Sequence, residues 1–355
     1  MIRDPEAYTV NSDLLMLRKY GSKEMAGQQS FFKHTMMGKY TIDGFLKARE
    51  MFTGIKTPDD LARLMKITPA GLFRLVRYPR YEVIRSANPR GRSRTLFHPQ
   101  PKLHDAQVRI NYFLQAIYYF IRPACVYGFT GTPTDSPDKR NILTNAQNHT
   151  GKSYVISADI FRFFPSINGR MVRNVFMAEP FRFDINLASA AALLCLYRNW
   201  LPTGSPASPA ISNLVCLNLD KELIQLAERH AYTYTRYADD LTFSGDQKPG
   251  DDFMQELESI LAQNGFQLNY KKYRVQSKHR RQSVTGLTVN EKVNIPREYV
   301  RRLRAIRHNT ARNGILLEAR RYLRDDQLTE YKLEKFANSV AGKENFVKAV
   351  RKFSP

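Results

Sequence analysis

Three aspartates, in two distant stretches of the chain, have the residue type and placement that metal-dependent chemistry needs. Asp239 and Asp240 stand side by side in YTYTRYADDLTFSG, residues 232–245. The alternation of residues before the pair predicts one strand and LTF predicts another, so the aspartates fall at the turn between them. Acidic residues are common in turns for structural reasons alone. The alternative is a turn that presents carboxylates to hard cations, which prefer oxygen ligands.

The third aspartate, Asp159, ends a strand predicted over SYVISADIF, residues 153–161. A carboxylate at the end of a mostly apolar strand is costly unless it is paired, solvated or bound to a metal. A helix cap, or a pair with Arg162, explains Asp159 as well as a metal does. A third carboxylate that is placed like the first two, and far from them in sequence, favours a shared metal site.

A tight loop, LPTGSPASPAISN at residues 201–213, lies between the two acidic stretches. Its glycine, three prolines and three serines predict a turn that runs into a helix. Such a loop can press its backbone against a base pair without side-chain bulk. An ordinary helix-entry loop is the alternative.

The composition indicates a nucleic-acid partner. Lys and Arg number 55 against 33 Asp and Glu, a net charge of +22, and the chain has 19 Tyr and 21 Phe. An anionic membrane surface is the competing partner, but no amphipathic basic stripe supports it. The start, MIRDPEAYTV, has no apolar signal core, and no apolar run reaches the roughly 20 residues of a membrane span. Three scattered cysteines predict neither zinc nor disulfides, so we expect a cytoplasmic protein.

Hydrophobic spacing and turn residues predict a mixed arrangement of helices and antiparallel strands. The first 75 residues are expected to be mostly helical and the last 60 helical and basic. The elements predicted between them are a hairpin at 81–99, a helix at 105–122, helices at 185–199 and 210–229, a hairpin at 232–243, a helix at 251–263, and strands at 266–276 and 282–289.

The order strand-Asp-FF, then LPxGxxxSP, then YADD between two strands resembles the palm of reverse transcriptases, over roughly residues 80–310. NAQNH at 145–149 and VTGLTVN at 284–290 resemble markers of the retron type. The resemblance implies an α+β right-hand polymerase with an antiparallel palm sheet. Its expected parts are an N-terminal helical region (1–75), fingers (76–150), a palm with part of the fingers inserted (151–290), and a helical basic thumb or RNA-binding region (291–355).

The resemblance also implies a function. A retron enzyme copies part of its cognate structured non-coding RNA into a branched RNA–DNA hybrid, msDNA, starting from an internal 2′-hydroxyl. The implied partners are that RNA, its DNA product, deoxynucleoside triphosphates and an effector protein encoded alongside, within an anti-phage system. Asp159 and Asp239 are the expected ligands of two Mg²⁺ ions, with Asp240 in support.

Further roles follow from the resemblance, residue by residue. Arg94 would hold the triphosphate, Phe164 would exclude a ribose 2′-hydroxyl, and Lys272 would act on the leaving pyrophosphate. Thr203 and Gly204 complete the expected nucleotide site, although Thr203 stands where Gln is usual. The expected RNA-binding residues are Asn145, His149, Val284, Thr285, Gly286, Arg297, Arg301 and Arg304.

Other functions remain compatible with the sequence. One is another bacterial reverse transcriptase, of the group II intron or diversity-generating kind. Another is a non-catalytic RNA-binding scaffold with a polymerase fold, including one that neutralises a toxin. The three aspartates argue against a scaffold, because a protein that has lost its catalytic activity need not keep its metal ligands.

Overall fold

A computed structural model describes residues 40–87 and 93–354. The first elements are α1 (Ile42–Thr53), α2 (Pro58–Leu64), α3 (Pro69–Arg77), β1 (Tyr81–Ala87), β2 (Ser93–Pro99), α4 (Pro101–Ile121), α5 (Ile142–Gln147) and β3 (Tyr154–Asp159). The next elements are α6 (Phe163–Ser166), α7 (Gly169–Met177), α8 (Ile185–Cys195), α9 (Ser208–Val215), α10 (Leu217–Arg229), β4 (Thr233–Tyr237), β5 (Asp240–Gly245) and α11 (Asp251–Gln263). The last are β6 (Arg274–Ser277), β7 (Ser283–Val284), β8 (Leu287–Thr288), α12 (Arg297–Asn313), α13 (Ile315–Leu323) and α14 (Glu330–Phe353).

The central feature is a four-stranded antiparallel sheet in the order β4-β5-β3-β6. Val155, Ile156 and Phe243 of its strands are fully buried, and the ring of Phe243 lies 5.2 Å from that of Phe253 on α11. Helices α4, α9, α10 and α11 contribute to the same hydrophobic core. Burial of this apolar surface is the main stabilising term for the sheet, and it fixes where the strand ends lie.

Helix starts in the N-terminal part follow the capping residues in the sequence. Thr57 accepts a hydrogen bond from the Asp60 backbone N–H, and Asp60 bonds back to the Thr57 backbone N–H, which completes a capping box. Thr68 caps α3 by accepting a hydrogen bond from the Gly71 backbone N–H, and a proline occupies the first helical turn in both helices. The prediction that this region is mostly helical is therefore confirmed for its described residues, 40–75.

The hairpin predicted at residues 81–99 is confirmed as β1 and β2, with Tyr81 opposite Pro99. It is tied to the loop at 201–205, since the Phe97 N–H donates to the Thr203 carbonyl oxygen at 2.7 Å. The rings of Phe97 and Trp200 meet edge to face at 4.8 Å. These contacts join the proline- and glycine-rich loop to the hairpin.

A second hydrophobic cluster joins the C-terminal helices to the middle of the chain. It contains Val284 and Leu287 from the short hairpin β7–β8, Leu303 from α12, Val350 from α14 and Ala146 from α5. Within the ranges 40–87 and 93–354, no helix is both long and apolar enough to cross a bilayer.

Three predicted boundaries are wrong in informative ways. The strand predicted at 266–276 is regular only over Arg274–Ser277, because a turn that begins at Asn269 and supports Asp159 separates it from an isolated bridge at Leu268. The strand predicted at 282–289 is a tight hairpin whose tip is Thr285-Gly286, both with positive φ. The helix predicted at 185–199 ends at Cys195 and is followed by a two-residue turn between Tyr197 and Trp200.

Candidate active site

The YADD segment forms a two-residue turn, as the sequence predicts. Strand β4 ends at Tyr237 and β5 begins at Asp240, so Ala238 and Asp239 form the turn. Ala238 has φ of 59°, in the left-handed region that a side chain rarely adopts. Asp240 pairs in register with Asp159 on β3, and the Ile160 N–H donates to the Asp239 carbonyl oxygen at 3.0 Å. The sheet therefore brings the three aspartates to one edge.

Asp159 is 2% exposed and is held by the turn that precedes β6. Its backbone oxygen accepts from the Asn269 N–H at 2.8 Å, and its Oδ1 accepts from Asn269 Nδ2 at 2.9 Å. The ammonium of Lys272 forms an ion pair with its Oδ2. Lys272 therefore lies at the carboxylate, and the structure brings together these two of the predicted site residues.

The surroundings of Asp239 disfavour its negative charge. Burial, and next the negative charge of Asp159, raise the pKa of Asp239 above its usual value, while Lys272 acts in the opposite direction. In the part of the chain that the structure describes, no three His, Cys, Asp or Glu side chains form a metal-binding group. Two neighbouring carboxylates under mutual repulsion are still a donor set that suits a hard divalent cation, because the cation would offset that repulsion.

A buried ion pair stands behind the turn, and the sequence analysis gave it no role. Arg236 and Asp220 are both 0% exposed, and two guanidinium nitrogens donate to the Asp220 carboxylate at 2.7 and 2.6 Å. Arg236 also donates to Asn213 Oδ1 at 3.0 Å and to the Ala238 carbonyl oxygen at 3.2 Å. Because Ala238 directly precedes Asp239, this pair supports the backbone of the turn. A charged residue inside a strand of buried tyrosines is the signal that could have found it.

Gly128 presses against the other side of the same turn. A Cβ atom at this position would lie 2.4 Å from the Ala238 nitrogen, so no larger residue fits without moving the turn. The Asn213 amide donates to the Gly128 carbonyl oxygen at 3.0 Å. The loop at 125–129 and the buried ion pair thus fix the turn from both sides.

The two phenylalanines after Asp159 have different environments. Phe163 is buried and its ring lies 5.8 Å from that of Phe266, as a core residue's would. Phe164 is only partly buried, and its ring stacks on Phe129 at 5.9 Å. Phe164 is therefore the ring of the pair that has an open face.

The predicted nucleotide residues outside the sheet are only partly described. Arg94 lies in β2, but its side chain falls outside the described residues. Thr203 and Gly204 contact the backbone of β2 near Phe97, and Gly204 has φ of 109°, a conformation for which glycine is suited. The residues predicted to bind the nucleotide therefore lie in two groups, one near the sheet edge that carries the aspartates and one beside the β1–β2 hairpin.

The NAQNH and VTG segments pack on each other. The Thr285 hydroxyl donates to the Ile142 carbonyl oxygen at 3.3 Å, and Val284 and Ala146 share a hydrophobic cluster. Asn145, His149 and Val284 are buried, whereas Thr285 and Gly286 are partly exposed. Of the residues predicted to bind RNA in these two segments, only Thr285 and Gly286 therefore reach the surface. Arg297, Arg301 and Arg304 are all exposed on α12, opposite its buried residues Tyr299, Leu303 and Ile306.

His149 links the two strands of the YADD hairpin. Its Nδ1 pairs with Ser244 Oγ and its Nε2 with Thr235 Oγ1, both at 2.7 Å. Burial, with a smaller effect from the Lys152 charge, lowers the pKa of His149 from 6.5 to about 3. The ring is therefore neutral at pH 7 and acts as a bridge between β4 and β5.

We expect this bridge to make stability depend on pH. Below 6.5 the unfolded chain protonates His149, whereas the folded protein does so only near a pKa of about 3, so stability falls as pH falls through this window. The slope is at most about 1.4 kcal/mol per pH unit. His149→Gln is expected to flatten the decline measured by denaturant unfolding between about pH 6.5 and 5. His279→Gln, at an exposed position, is the control. Equal slopes for wild type and His149→Gln would contradict the assignment.

Residues 110–289, about half of the chain and including all three aspartates, match the family described as reverse transcriptase (RNA-dependent DNA polymerase). The chain belongs to the reverse transcriptase family. The family's sequence match spans the whole four-stranded sheet, so the predicted identity of this region is confirmed.

Relatives of known type indicate which kind of reverse transcriptase the chain resembles. The chain is 38% identical over 193 residues to the retron Mx65 reverse transcriptase of Myxococcus xanthus, covering 49% of this chain and 45% of the relative. It is 34% identical over 252 residues to the retron Mx162 enzyme of the same organism, covering 62% and 50%. It is 35% identical over 175 residues to the retron Ec86 reverse transcriptase of Escherichia coli, covering 48% and 53%. The chain spans about half the length of these relatives, and all three of them are retron reverse transcriptases.

Proposed function

We propose that the chain is an RNA-directed DNA polymerase of a retron and copies part of a cognate structured RNA into a branched RNA–DNA hybrid. The observation that carries the proposal is the meeting of Asp159 with the YADD turn at one sheet edge, in a chain of this family. In this proposal the fingers are residues 76–150, the palm is 151–290 and the thumb is 291–355. The proposal includes an effector protein as partner and a role in anti-phage defence, which rest on the retron resemblance.

Asp159 and Asp239 would hold divalent metal, with Asp240 in support, and we propose two Mg²⁺ ions. When bound, such ions stabilise the charge that builds on the attacking and leaving oxygens of phosphoryl transfer. The residues' own part is to supply oxygen donors on a rigid sheet edge, which the Arg236–Asp220 pair and Gly128 keep in place. Lys272, beside Asp159, supplies positive charge near the leaving pyrophosphate.

Phe164 is proposed to select deoxynucleotides, because its open ring follows the metal-binding strand and stacks on Phe129. Phe164→Ala is expected to lower deoxy-over-ribo selectivity at least roughly tenfold, since a cavity opens where the ring excludes a 2′-hydroxyl. Single-nucleotide incorporation with matched dNTP and NTP measures it. Phe163→Leu serves as the control for general loosening of the FF pair. Unchanged selectivity in Phe164→Ala would show that the ring only packs.

Priming from an internal 2′-hydroxyl requires that the RNA be held in one register, because a misplacement of about 1 Å can cost roughly 100-fold in rate. The exposed Thr285-Gly286 tip and the arginines of α12 are the proposed RNA contacts. The buried Asn145 and His149 are proposed to act indirectly, Asn145 through α5, whose Ala146 packs with Val284, and His149 through the YADD hairpin.

The experiment that tests the function is synthesis on the RNA that co-purifies with the protein. We expect a product that keeps a nuclease-resistant branch nucleotide after RNase treatment. A fully linear product would replace the retron function with a conventionally primed reverse transcriptase. Absence of any DNA synthesis on either this RNA or a primed generic template would favour the scaffold alternative.

A further inference from the structure

A groove that the proposed polymerase chemistry does not use lies between α3, the segment that enters β1, and the end of α8. Its volume is about 800 Å³, within the range of about 300–1,000 Å³ that ligand sites occupy. The residues that matter for its chemistry are Phe73, Arg77, Arg80, Tyr81, Tyr197 and Arg198. The three aspartates lie on other elements, at the ends of β3 and the β4–β5 turn.

The groove is positively charged. Arg77, Arg80 and Arg198 are exposed, and no Asp or Glu contributes to the lining. None of the three forms an ion pair with a carboxylate of the described residues 40–87 and 93–354. Three cations without a local counter-charge indicate an anionic occupant.

The backbone at Arg198 is held in an unfavourable conformation. Tyr197 and Trp200 pair across a two-residue turn, and the residues at its tip, Arg198 and Asn199, have φ of 47° and 68°. Such turns favour Asn and Gly, and arginine seldom adopts this left-handed conformation. The turn places the guanidinium 5.3 Å from the Tyr197 ring centroid. The turn therefore holds the Arg198 guanidinium beside an aromatic ring of the groove lining.

Exposed aromatic rings accompany the arginines. Phe73, in the groove lining, is 67% exposed, and Tyr78, which follows α3, is 65% exposed. Large apolar rings left in water beside cations are typical of surfaces that stack bases and contact phosphates. An acidic peptide would use the arginines but would gain little from flat rings.

We propose that this groove binds a single strand of nucleic acid, with bases stacked on Phe73 and phosphates held by Arg77, Arg80 and Arg198. The strand is recognised through its backbone and its base faces, so RNA and DNA both fit and sequence preference is weak. This binding goes beyond the proposed polymerisation and does not depend on it, because neither metal nor nucleotide takes part.

Photo-crosslinking tests the location. The full chain is mixed with an oligouridine of about 12 nucleotides that carries 4-thiouridine, without metal or dNTP, irradiated and digested. We expect crosslinked peptides from 69–81 and from 193–200, in addition to any from the polymerase cleft. Crosslinks confined to other parts of the chain would overturn the proposal. Binding of a polyglutamate peptide, but not of the oligonucleotide, at this surface would also overturn it and assign the groove to an acidic partner.

Variants test the charges. Arg77→Ala combined with Arg198→Asn removes two cations, and Asn tolerates the positive φ, so folding is preserved. We expect loss of the groove crosslinks and a salt dependence of binding that is shallower by about 1.4 in log–log slope. Lys221→Ala with Lys248→Ala, two exposed lysines elsewhere, is the control and should change neither. Phe73→Leu should lose crosslinking but keep the salt slope. An unchanged slope in the arginine variant would overturn the proposal, whatever the polymerase assays give.

Discussion

Asp159→Asn and Asp239→Asn, made singly, are expected to reduce primer extension by roughly 10³-fold or more. Each change removes a negative oxygen donor from the sheet edge while it keeps the shape of the side chain. The loss arises because the metal-supported charge stabilisation acts mainly in the transition state. Extension of an annealed primer under saturating dNTP and Mg²⁺ measures the effect.

The two variants should differ in stability, which separates catalysis from folding. Asp239→Asn removes a carboxylate whose pKa is raised by burial and by Asp159, so its free energy of unfolding should hold or rise. Asp159→Asn breaks the ion pair with Lys272 and should be the less stable of the two. Asp326→Asn, at an exposed position, is the control for both assays. Near wild-type extension by either active-site variant would refute the catalytic assignment.

Arg236→Ala is expected to lower the free energy of unfolding by about 3–5 kcal/mol, because it leaves the Asp220 carboxylate buried without its partner. The Ala238 carbonyl oxygen also loses its donor, so the YADD turn should become less well held. Chemical denaturation measures the free energy of unfolding. Primer extension, at a temperature where the variant stays folded, measures how far the loosened YADD turn lowers activity.

Two companion variants separate the causes. Arg229→Ala removes an arginine of a partly exposed ion pair with Glu256 and should cost far less. Arg236→Met with Asp220→Leu removes both buried charges and should recover much of the stability, since apolar replacement of a buried pair is often neutral. If the double variant recovers stability but not activity, the Arg236–Asp220 pair is needed to hold the YADD turn in its active conformation. An Arg236→Ala protein as stable as wild type would refute the buried-pair assignment.

The hairpin around Asp239 could be predicted from the sequence because it depends on neighbouring residues. The alternation around Asp239 and the short turn between two strands are properties of neighbouring residues, and the hairpin formed where they predicted it. The strand that ends at Asp159 was equally readable, because apolar runs of this length are typical of buried strands. The three motifs, strand-Asp-FF, LPxGxxxSP and YADD, occur in the order that is typical of reverse transcriptases and so indicated the family.

Local patterns failed where a segment's shape depends on a distant partner. Residues 266–276 have apolar spacing suited to one strand, but Leu268 forms only an isolated bridge with Ile160 and a turn that begins at Asn269, bonded to Asp159, interrupts the strand. VTG was predicted to lie within one strand at 282–289, yet it forms a hairpin in which Val284 packs with Ala146 of α5 and Thr285-Gly286 forms the partly exposed tip.

By itself, the sequence determined the aspartates, the hairpin that presents two of them, the basic character of the chain and its reverse transcriptase resemblance. Only the tertiary structure decided that Arg236 pairs with Asp220 behind the turn, that His149 bridges β4 and β5, and that Lys272 lies on Asp159. The physical reason is that these contacts join residues 16, 86 and 113 positions apart. Burial and charge pairing over such separations are set by how the helices pack on the sheet, which periodicity within one segment does not encode.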